Sequence, residues 1–168
     1  MLRIVPKNDV LSCRTSSFCM VDLDDVLKGS LAKASPHTKN VYGRDPLTGK
    51  EIVDMANDRT IQTLASTVRL NGRPHLTPTD VVGLNGALYV GVDEATGHYS
   101  NLKRSPAIAL MLLDGKARQA ILEGTVVFLD MTGEIAIRVQ ELQKKKNGWT
   151  TEAAAELRPE KVFSWRAK

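Results

Sequence analysis

Short runs of apolar and β-branched residues, separated by turn residues, dominate the chain after residue 60. They predict seven strands, because strands are short and are bounded by glycine, proline and asparagine. The run at 107–113 is almost wholly apolar, which predicts that both of its faces are covered. The predicted strands cover residues 63–70, 75–82, 87–92, 107–113, 118–129, 153–157 and 162–165.

Turn residues indicate how these strands connect. Asn71-Gly72 lies between two strand-like runs and predicts a type I′ hairpin turn, which needs positive φ at both central residues. Residues 83–86 are expected to close the next connection. Gly124 predicts a barrel corner or a bulge inside the longest strand. Pro78 predicts a strand edge or a gap, because proline lacks the N–H that a ladder needs.

Helical patterns occupy four segments. They are a short helix around 22–33, a helix from 51 whose apolar spacing continues to residue 64, a capped helix over 96–104 and a helix over 132–146. The last of these ends in Lys144-Lys145-Lys146. Cations in a last turn complement the helix dipole, so this lysine run requires no ligand.

The order of these elements predicts the architecture. Antiparallel hairpins with few parallel crossovers favour a mainly β domain with peripheral helices, in the form of a closed or split barrel. We expect this domain to cover residues 51–168. Residues 1–50, where polar and turn residues break every periodicity, are expected to be an N-terminal extension of unassigned role.

Composition excludes several classes of protein. The chain has 168 residues, of which 42% are hydrophobic, and two cysteines, which suits one compact domain. Its apolar runs are too short to cross a membrane, so no membrane partner is expected. The first twenty residues show no secretory signal, which predicts a cytoplasmic location. Cys13 and Cys19 can form neither a disulfide framework nor a four-cysteine zinc site.

The net charge of +4 has a local origin. The seven basic and three acidic residues after position 143 account for the whole excess, and the helix end explains the lysine run at 144–146. We therefore expect no nucleic-acid partner.

Two polar segments are candidates for a binding site. In the first, Thr96 and Gly97 precede a helix that carries His98 and Lys103, an arrangement that suits a phosphate but also describes a capped surface helix. The second is the strand from 75, in which His75, Thr77 and Thr79 share one face. That face is either solvated or directed at a ligand.

Other chemistry lacks its motifs. His75 and His98 are not spaced as metal ligands, so no metal site is predicted. The chain has neither a nucleophile elbow nor a phosphate-binding Walker loop, which argues against hydrolase and nucleoside triphosphatase activities.

Several motifs in order resemble the FMN-binding split barrels of the pyridoxamine 5′-phosphate oxidase-like family. The resemblance runs from about residue 51 to residue 165. It includes the segments TLASTVRLNGRPHLTPTD, GALYVGV, NLKRSPAIALMLLDG, ILEGTV and AAELRPEKVFSW. It implies a six-stranded antiparallel split β-barrel that forms a homodimer, with FMN in each of two grooves at the subunit interface.

The resemblance also implies which residues bind the cofactor. Thr96, Gly97 and His98 fall where the family usually has a Ser-Arg-Lys phosphate clamp, so two cations are replaced. Gln119 resembles a glutamine that reaches the flavin across the dimer. The implied cofactor-binding residues are His75, Leu76, Thr77, Pro78, Thr79, Gly91, Val92, Thr96, Gly97, His98, Lys103, Gln119 and Trp165.

The implied function is a flavin-dependent oxidoreductase that transfers hydride to or from a small planar substrate. Residues 130–138 lack the Tyr, Arg and Ser set of the namesake enzymes, and the substrate-binding arginine that follows the final tryptophan has no counterpart before Lys168. Vitamin B6 oxidation is therefore not expected. One alternative is a reductase that uses the deazaflavin coenzyme on the same fold. The other is a non-catalytic, dimeric module that binds flavin or haem.

Overall fold

A computed structural model describes residues 21–167 of the chain. Within this range it has seven strands and five helices. In chain order the elements are α1 Leu23–Lys33, α2 Pro36–Tyr42, α3 Gly49–Asn57, β1 Gln62–Val68, β2 Pro74–Pro78, β3 Asp80–Leu84, β4 Ala87–Val92, α4 Gly97–Arg104, β5 Ala107–Asp114, β6 Arg118–Phe128, α5 Glu134–Asn147 and β7 Ala153–Arg166.

The strands form one antiparallel sheet in the order β2-β1-β5-β6-β7-β4-β3. β2 and β3 are consecutive in the chain yet lie at opposite edges, so the sheet curls until its edges meet. Thr79 lies at this junction. Its N–H donates to the carbonyl of Thr63 in β1 at 3.1 Å, and its hydroxyl donates to the carbonyl of Gly91 in β4 at 3.4 Å. The mainly β, antiparallel prediction is confirmed.

The strand count differs from the six that the resemblance implies. The segment 75–82 is divided at Thr79 into β2, which pairs with β1, and β3, which pairs with β4. Pro78 ends β2 at the sheet edge, as its missing N–H predicts. Conversely, the two final strands predicted at 153–157 and 162–165 are one continuous strand, β7.

Gly124 allows β7 to pass very close to β6. The register between β6 and β7 shifts at Glu123/Gly124, where Gly124 is opposite Pro159. A side chain at Gly124 would overlap the Arg158 carbonyl, so only glycine allows the two backbones to approach this closely. An irregularity is thus present at Gly124, as predicted, but the extra residue lies in β7, where Glu160 has no partner between Pro159 and Lys161.

The turn type predicted at the first hairpin is found at the second hairpin. At Asn71-Gly72 only the glycine has positive φ (78°), and the turn closes through the Gly72 N–H and the Arg69 carbonyl. The type I′ prediction there is therefore wrong. Asn85 (φ 52°) and Gly86 (φ 81°) instead form a two-residue turn with positive φ at both positions, between β3 and β4.

Helices α1 and α3, which precede β1 in the chain, pack against the sheet. Leu23 and Leu27 of α1 and Ile52 and Met55 of α3 belong to the same core cluster as the inner faces of the strands. The helix predicted around 22–33 is present as α1. The helix expected from residue 51 to 64 begins at Gly49, because Thr48 and Glu51 form a capping box, and ends at Asn57.

Strand β5 departs from its prediction. Ile108, Leu110 and Leu112 are buried, but Ala109, Met111 and Leu113 on the opposite face are only half-buried. In the isolated chain this strand therefore has one covered face, where the sequence predicted two.

No helix in the described range 21–167 is long and apolar enough to span a bilayer.

Candidate functional site

A pocket of about 610 Å³ opens where the two sheet edges meet. Its volume lies in the range of roughly 300–1,000 Å³ that is typical of ligand sites. The walls come from the β2–β3 junction, the end of β4, the N-terminus of α4 and the segment after α5. Nine residues with a predicted role in cofactor binding line it, namely His75, Thr77, Pro78, Thr79, Gly91, Val92, Thr96, Gly97 and His98.

The N-terminus of α4 forms one wall of the pocket. Thr96 is the helix cap: its hydroxyl oxygen accepts from the Tyr99 N–H at 3.1 Å and donates to the Asp93 carbonyl at 2.7 Å. The predicted cap is therefore present, but its hydroxyl proton is already used. A Cβ at Gly97 would lie 3.5 Å from His75 Cε1, so the first turn of α4 packs closely against β2.

His98 is a buried imidazole in this wall. It is 5% exposed, and neither ring nitrogen has a hydrogen-bond partner among residues 21–167. Burial, and secondarily the neighbouring charge of His75, lower the pKa of His98 from 6.5 to about 4. The ring is therefore uncharged at neutral pH and does not supply the fixed positive charge of a clamp lysine.

The Asn101 side chain lies within hydrogen-bond distance of the His75 ring. The Asn101 side-chain nitrogen lies 3.2 Å from His75 Nδ1 and 3.0 Å from Thr67 Oγ1. Since β2 alternates, His75 and Thr77 are directed into the pocket while Leu76 is 66% exposed on the opposite face.

A buried ion pair forms another part of the pocket wall. Lys146, at the end of α5, donates to the carbonyls of Ala56 and Val81, both at 2.9 Å, and lies 3.6 Å from Asp80 Oδ1. Asn147 donates to the same carboxylate oxygen at 2.7 Å. The second oxygen, Asp80 Oδ2, is buried and unpartnered within the described chain. It is an acceptor available to a ligand with an N–H or O–H group.

Lys146 corrects the sequence-based view of the lysine run. Lys144 and Lys145 are exposed at the helix end, as the dipole argument expects. The Lys146 side chain is only 8% exposed and lines the pocket, where it compensates Asp80. Spacing along the helix gave no sign of this role, because the partners of Lys146 are far away in sequence.

Sequence reasoning missed most of the wall that α5 and its following segment provide. Trp149 is 51% exposed at the pocket, and Thr151 is buried there and bonded to Gln143. An exposed tryptophan just after the helix-ending Asn147-Gly148 was the available signal. The lining residues that were not predicted are Arg59, Ile61, Thr63, Asp80, Asp93, Lys146, Asn147, Trp149 and Thr151.

Four predicted residues lie outside the pocket of the single chain. Leu76 is on the far face of β2, as described above. The Lys103 ammonium lies over the rings of Phe128 and Tyr99, at 4.6 and 5.4 Å from their centroids. Gln119 and Trp165 are cross-strand partners on β6 and β7.

Gln119 and Trp165 belong to the outer face of the sheet. Gln119 is also opposite Leu113 of β5. The adjoining cross-strand row on this face is apolar and half-buried, and it consists of Leu64, Met111, Ile121 and Phe163. This surface, which we call the outer apolar row, crosses β1, β5, β6 and β7.

The pocket lining combines buried hydrogen-bonding atoms with a phosphate position that lacks two of the expected cations. The unpartnered atoms of His98 and Asp80, which both line the pocket, can pair with a ligand that carries both donors and acceptors. At the α4 wall, a phosphate would meet neutral donors: backbone N–H groups and imidazole. In the described part of the chain, no three His, Cys, Asp or Glu side chains form a cluster that could hold a metal ion.

Solved structures with the same fold come from several bacteria. A conserved hypothetical protein of Mycobacterium tuberculosis is 20% identical, with a TM-score of 0.58, and the match covers 71% of this chain and 85% of that one. The haem storage protein HutZ of Vibrio cholerae is 18% identical, with a TM-score of 0.57 and coverage of 68% and 92%. An F420 reductase is 21% identical, with a TM-score of 0.51 and coverage of 65% and 94%.

These likenesses concern the fold, since all three identities are low. No curated protein matches the chain. The family model of pyridoxamine 5′-phosphate oxidase, however, matches residues 48–168. Among the residues that the structure describes, this segment contains all seven strands and the whole pocket lining. The chain therefore belongs to the pyridoxamine 5′-phosphate oxidase family of split-barrel proteins.

Proposed function

We propose that the protein is an oxidoreductase that binds a flavin-type cofactor, FMN or the deazaflavin coenzyme, in the pocket between the sheet edges. The supporting observation is the convergence on one pocket of nine residues that the family resemblance implies as cofactor ligands. Family membership and the likeness to an F420 reductase are consistent with this proposal.

When bound, a flavin or deazaflavin supplies hydride transfer, and the protein contributes binding, orientation and exclusion of water. Asp80 Oδ2 accepts a hydrogen bond from the cofactor or substrate, and the Lys146 ammonium lies 3.6 Å from the other oxygen of this carboxylate. Trp149 covers the pocket mouth with an aromatic surface. The substrate in this proposal is a small planar molecule that stacks on the ring.

The proposal includes a homodimer formed through the outer apolar row. A half-buried apolar row on the outer face of a sheet is a candidate interaction surface, and Gln119 and Trp165 lie beside it. A partner packed on this face brings its own Gln119 and Trp165 to the cofactor, which explains why they lie away from the pocket of their own chain.

The second candidate is a haem-binding module. It is favoured by His98, whose buried, uncharged ring has two nitrogens without partners among residues 21–167 and is therefore available as an axial ligand. The structural likeness to a haem storage protein is consistent with it. Fold alone does not choose between the two candidates.

The deciding experiment is the visible spectrum of natively purified protein, followed by titration of the ligand-free protein with FMN, deazaflavin coenzyme and haem. We expect flavin or deazaflavin to bind, and His75→Ala to weaken that binding. The matched control His37→Ala, which changes an exposed histidine of α2, is expected to have no effect. A colourless protein that binds neither flavin nor deazaflavin would rule out the oxidoreductase proposal.

A further inference from the structure

Asn101 connects the pocket to a charged residue outside it. This buried side chain lies between three groups: Thr67 of β1, His75 of β2 and Arg104 at the end of its own helix. Arg104 donates to Asn101 Oδ1 at 3.2 Å and also donates to the Val68 carbonyl, which fixes its guanidinium. Asn101 Nδ2 faces Thr67 Oγ1 at 3.0 Å and His75 Nδ1 at 3.2 Å.

Arg104 determines which way the carboxamide of Asn101 points. A guanidinium has donors and no acceptor, so the group that faces it must be the carboxamide oxygen. The reverse orientation would bring two donors together. The NH₂ group of Asn101 therefore faces His75, and His75 Nδ1 must accept a hydrogen bond.

A neutral imidazole that accepts at Nδ1 carries its proton on Nε2. We propose that Asn101, oriented by Arg104, is a positioning residue that holds His75 as the Nε2–H tautomer. Nε2 is the ring nitrogen left for a ligand, so the pocket presents a hydrogen-bond donor of fixed orientation. Its acceptor is an oxygen of the bound molecule, either a phosphate oxygen or a ring carbonyl.

The closeness of α4 to β2 makes this arrangement rigid. The first turn of α4 packs on His75 through Gly97, and the last turn reaches Thr67 and Val68 through Asn101 and Arg104. Contacts from both turns of α4 therefore fix the His75 ring. The tautomer is a property of the ligand-free protein, whereas its effect on cofactor binding rests on the proposed function.

The tautomer is measured by long-range ¹H–¹⁵N NMR of the ligand-free protein at alkaline pH, where imidazoles are uncharged. His37→Gln and His98→Gln assign the remaining two rings by elimination. We expect His75 Nδ1 to have the shift of an unprotonated nitrogen and Nε2 that of a protonated one. The opposite pattern, or an average of the two, overturns the inference.

Two variants test the cause. In Asn101→Asp the carboxylate is only an acceptor, so it is expected to move the proton of His75 to Nδ1. In Arg104→Met, an exposed position that carries little risk to folding, the carboxamide is free to turn, and an average of the two tautomers is expected. Thr67→Val, which removes only the other acceptor, is expected to leave the tautomer unchanged. If Arg104→Met keeps the pure Nε2–H tautomer, Arg104 does not orient Asn101 and the inference fails.

Binding of FMN and of riboflavin, which lacks the phosphate, measures the consequence. Loss of one donor to a charged acceptor is expected to weaken binding about tenfold to a hundredfold. Asn101→Asp should weaken FMN binding by this factor. Its thermal stability must show that the variant is folded. A loss for FMN alone identifies a phosphate oxygen as the acceptor, and a loss for both ligands identifies the ring. Unchanged binding of both ligands despite a reversed tautomer overturns the role of His75 as a donor. If FMN does not bind the wild-type protein, the proposed function fails, while the NMR result still decides the tautomer.

Discussion

At the level of single residues, the charge of His98 determines what the α4 wall of the pocket can bind. Its pKa is lowered to about 4, so the ring is neutral when the protein meets a ligand at neutral pH. The family resemblance implies a permanent cation at this position. The neutral ring therefore weakens attraction for a phosphate and removes the cost of burying a charge.

The lowered pKa of His98 has a consequence for stability. Below the unfolded pKa of 6.5 the unfolded chain binds a proton that the folded chain does not bind until about pH 4. The free energy of unfolding therefore falls as pH falls through this window, by about 3 kcal/mol at most. Chemical denaturation at a series of pH values should show a smaller fall for His98→Gln than for the wild type. His37→Gln, at an exposed site, should follow the wild type, and equal falls in all three proteins would contradict burial of an uncharged His98.

Restoring a cation at this position tests the phosphate wall directly. His98→Lys is expected to tighten FMN binding about tenfold, because a charge-assisted hydrogen bond to phosphate replaces a neutral one. Riboflavin binding should not change, since riboflavin has no phosphate. The control His37→Lys adds the same charge on α2 and should leave both affinities as they are. Unchanged FMN affinity in His98→Lys would remove residue 98 from the cofactor site.

At the level of elements, the pocket depends on how closely α5 approaches β4. Gly91 was expected to contact the cofactor through its backbone, and it lines the pocket. It also makes room for the adjoining structure, because a Cβ there would overlap the Gln143 carboxamide and lie 2.8 Å from Thr151 Oγ1. These two residues hydrogen-bond to each other and connect α5 to the segment before β7.

Gly91→Ala should therefore destabilise the protein by about 1–3 kcal/mol, the usual cost of overpacking a buried site. Gly29→Ala is the matched control, because Gly29 lies in α1 and a Cβ there meets nothing within 4 Å. It should stabilise the protein by roughly 0.5–1 kcal/mol through the better helix propensity of alanine. Denaturant midpoints measure both changes. A Gly91→Ala protein as stable as the wild type would show that α5 can move away from β4 without cost.

Signals between neighbouring residues predicted most helices and strands of this protein. The turn types and the pocket wall depend on contacts between residues far apart in sequence. Strand β4, the cap of α4 and the irregularity at Gly124 follow from turn and capping residues within a few positions. The type I′ turn was assigned to Asn71 instead of Asn85, because both asparagines precede glycine and only the register of β3 and β4 distinguishes them. The ion pair of Lys146 with Asp80 joins residues far apart in sequence, so no local pattern could reveal this wall of the pocket.

At the level of the whole molecule, the two halves of the implied cofactor site lie on different surfaces of one chain. The pocket is at the junction of the sheet edges, whereas Gln119 and Trp165 lie beside the outer apolar row. A twofold dimer buries the same face of both chains, so each partner can complete the site of the other. Met111→Glu would place a charge in the centre of this row. It should yield a folded monomer by light scattering with circular dichroism like that of the wild type, and a dimer that persists would show that this face is not the interface.

Mixing two defective proteins tests whether the site is shared. His75→Ala damages the pocket wall, and Trp165→Ala is expected to weaken flavin binding without unfolding the barrel. If the site combines the pocket of one chain with Trp165 of its partner, a mixed dimer has one intact site and one doubly damaged site. Subunit exchange at equal concentrations should then restore wild-type affinity in roughly a quarter of all sites, as counted by FMN fluorescence titration. Each variant alone should show none of these tight sites, because every site in it carries the same defect. If the mixture behaves as the sum of the two variants, His75 and Trp165 act within one chain or Trp165 does not contact the cofactor, and the shared site is ruled out.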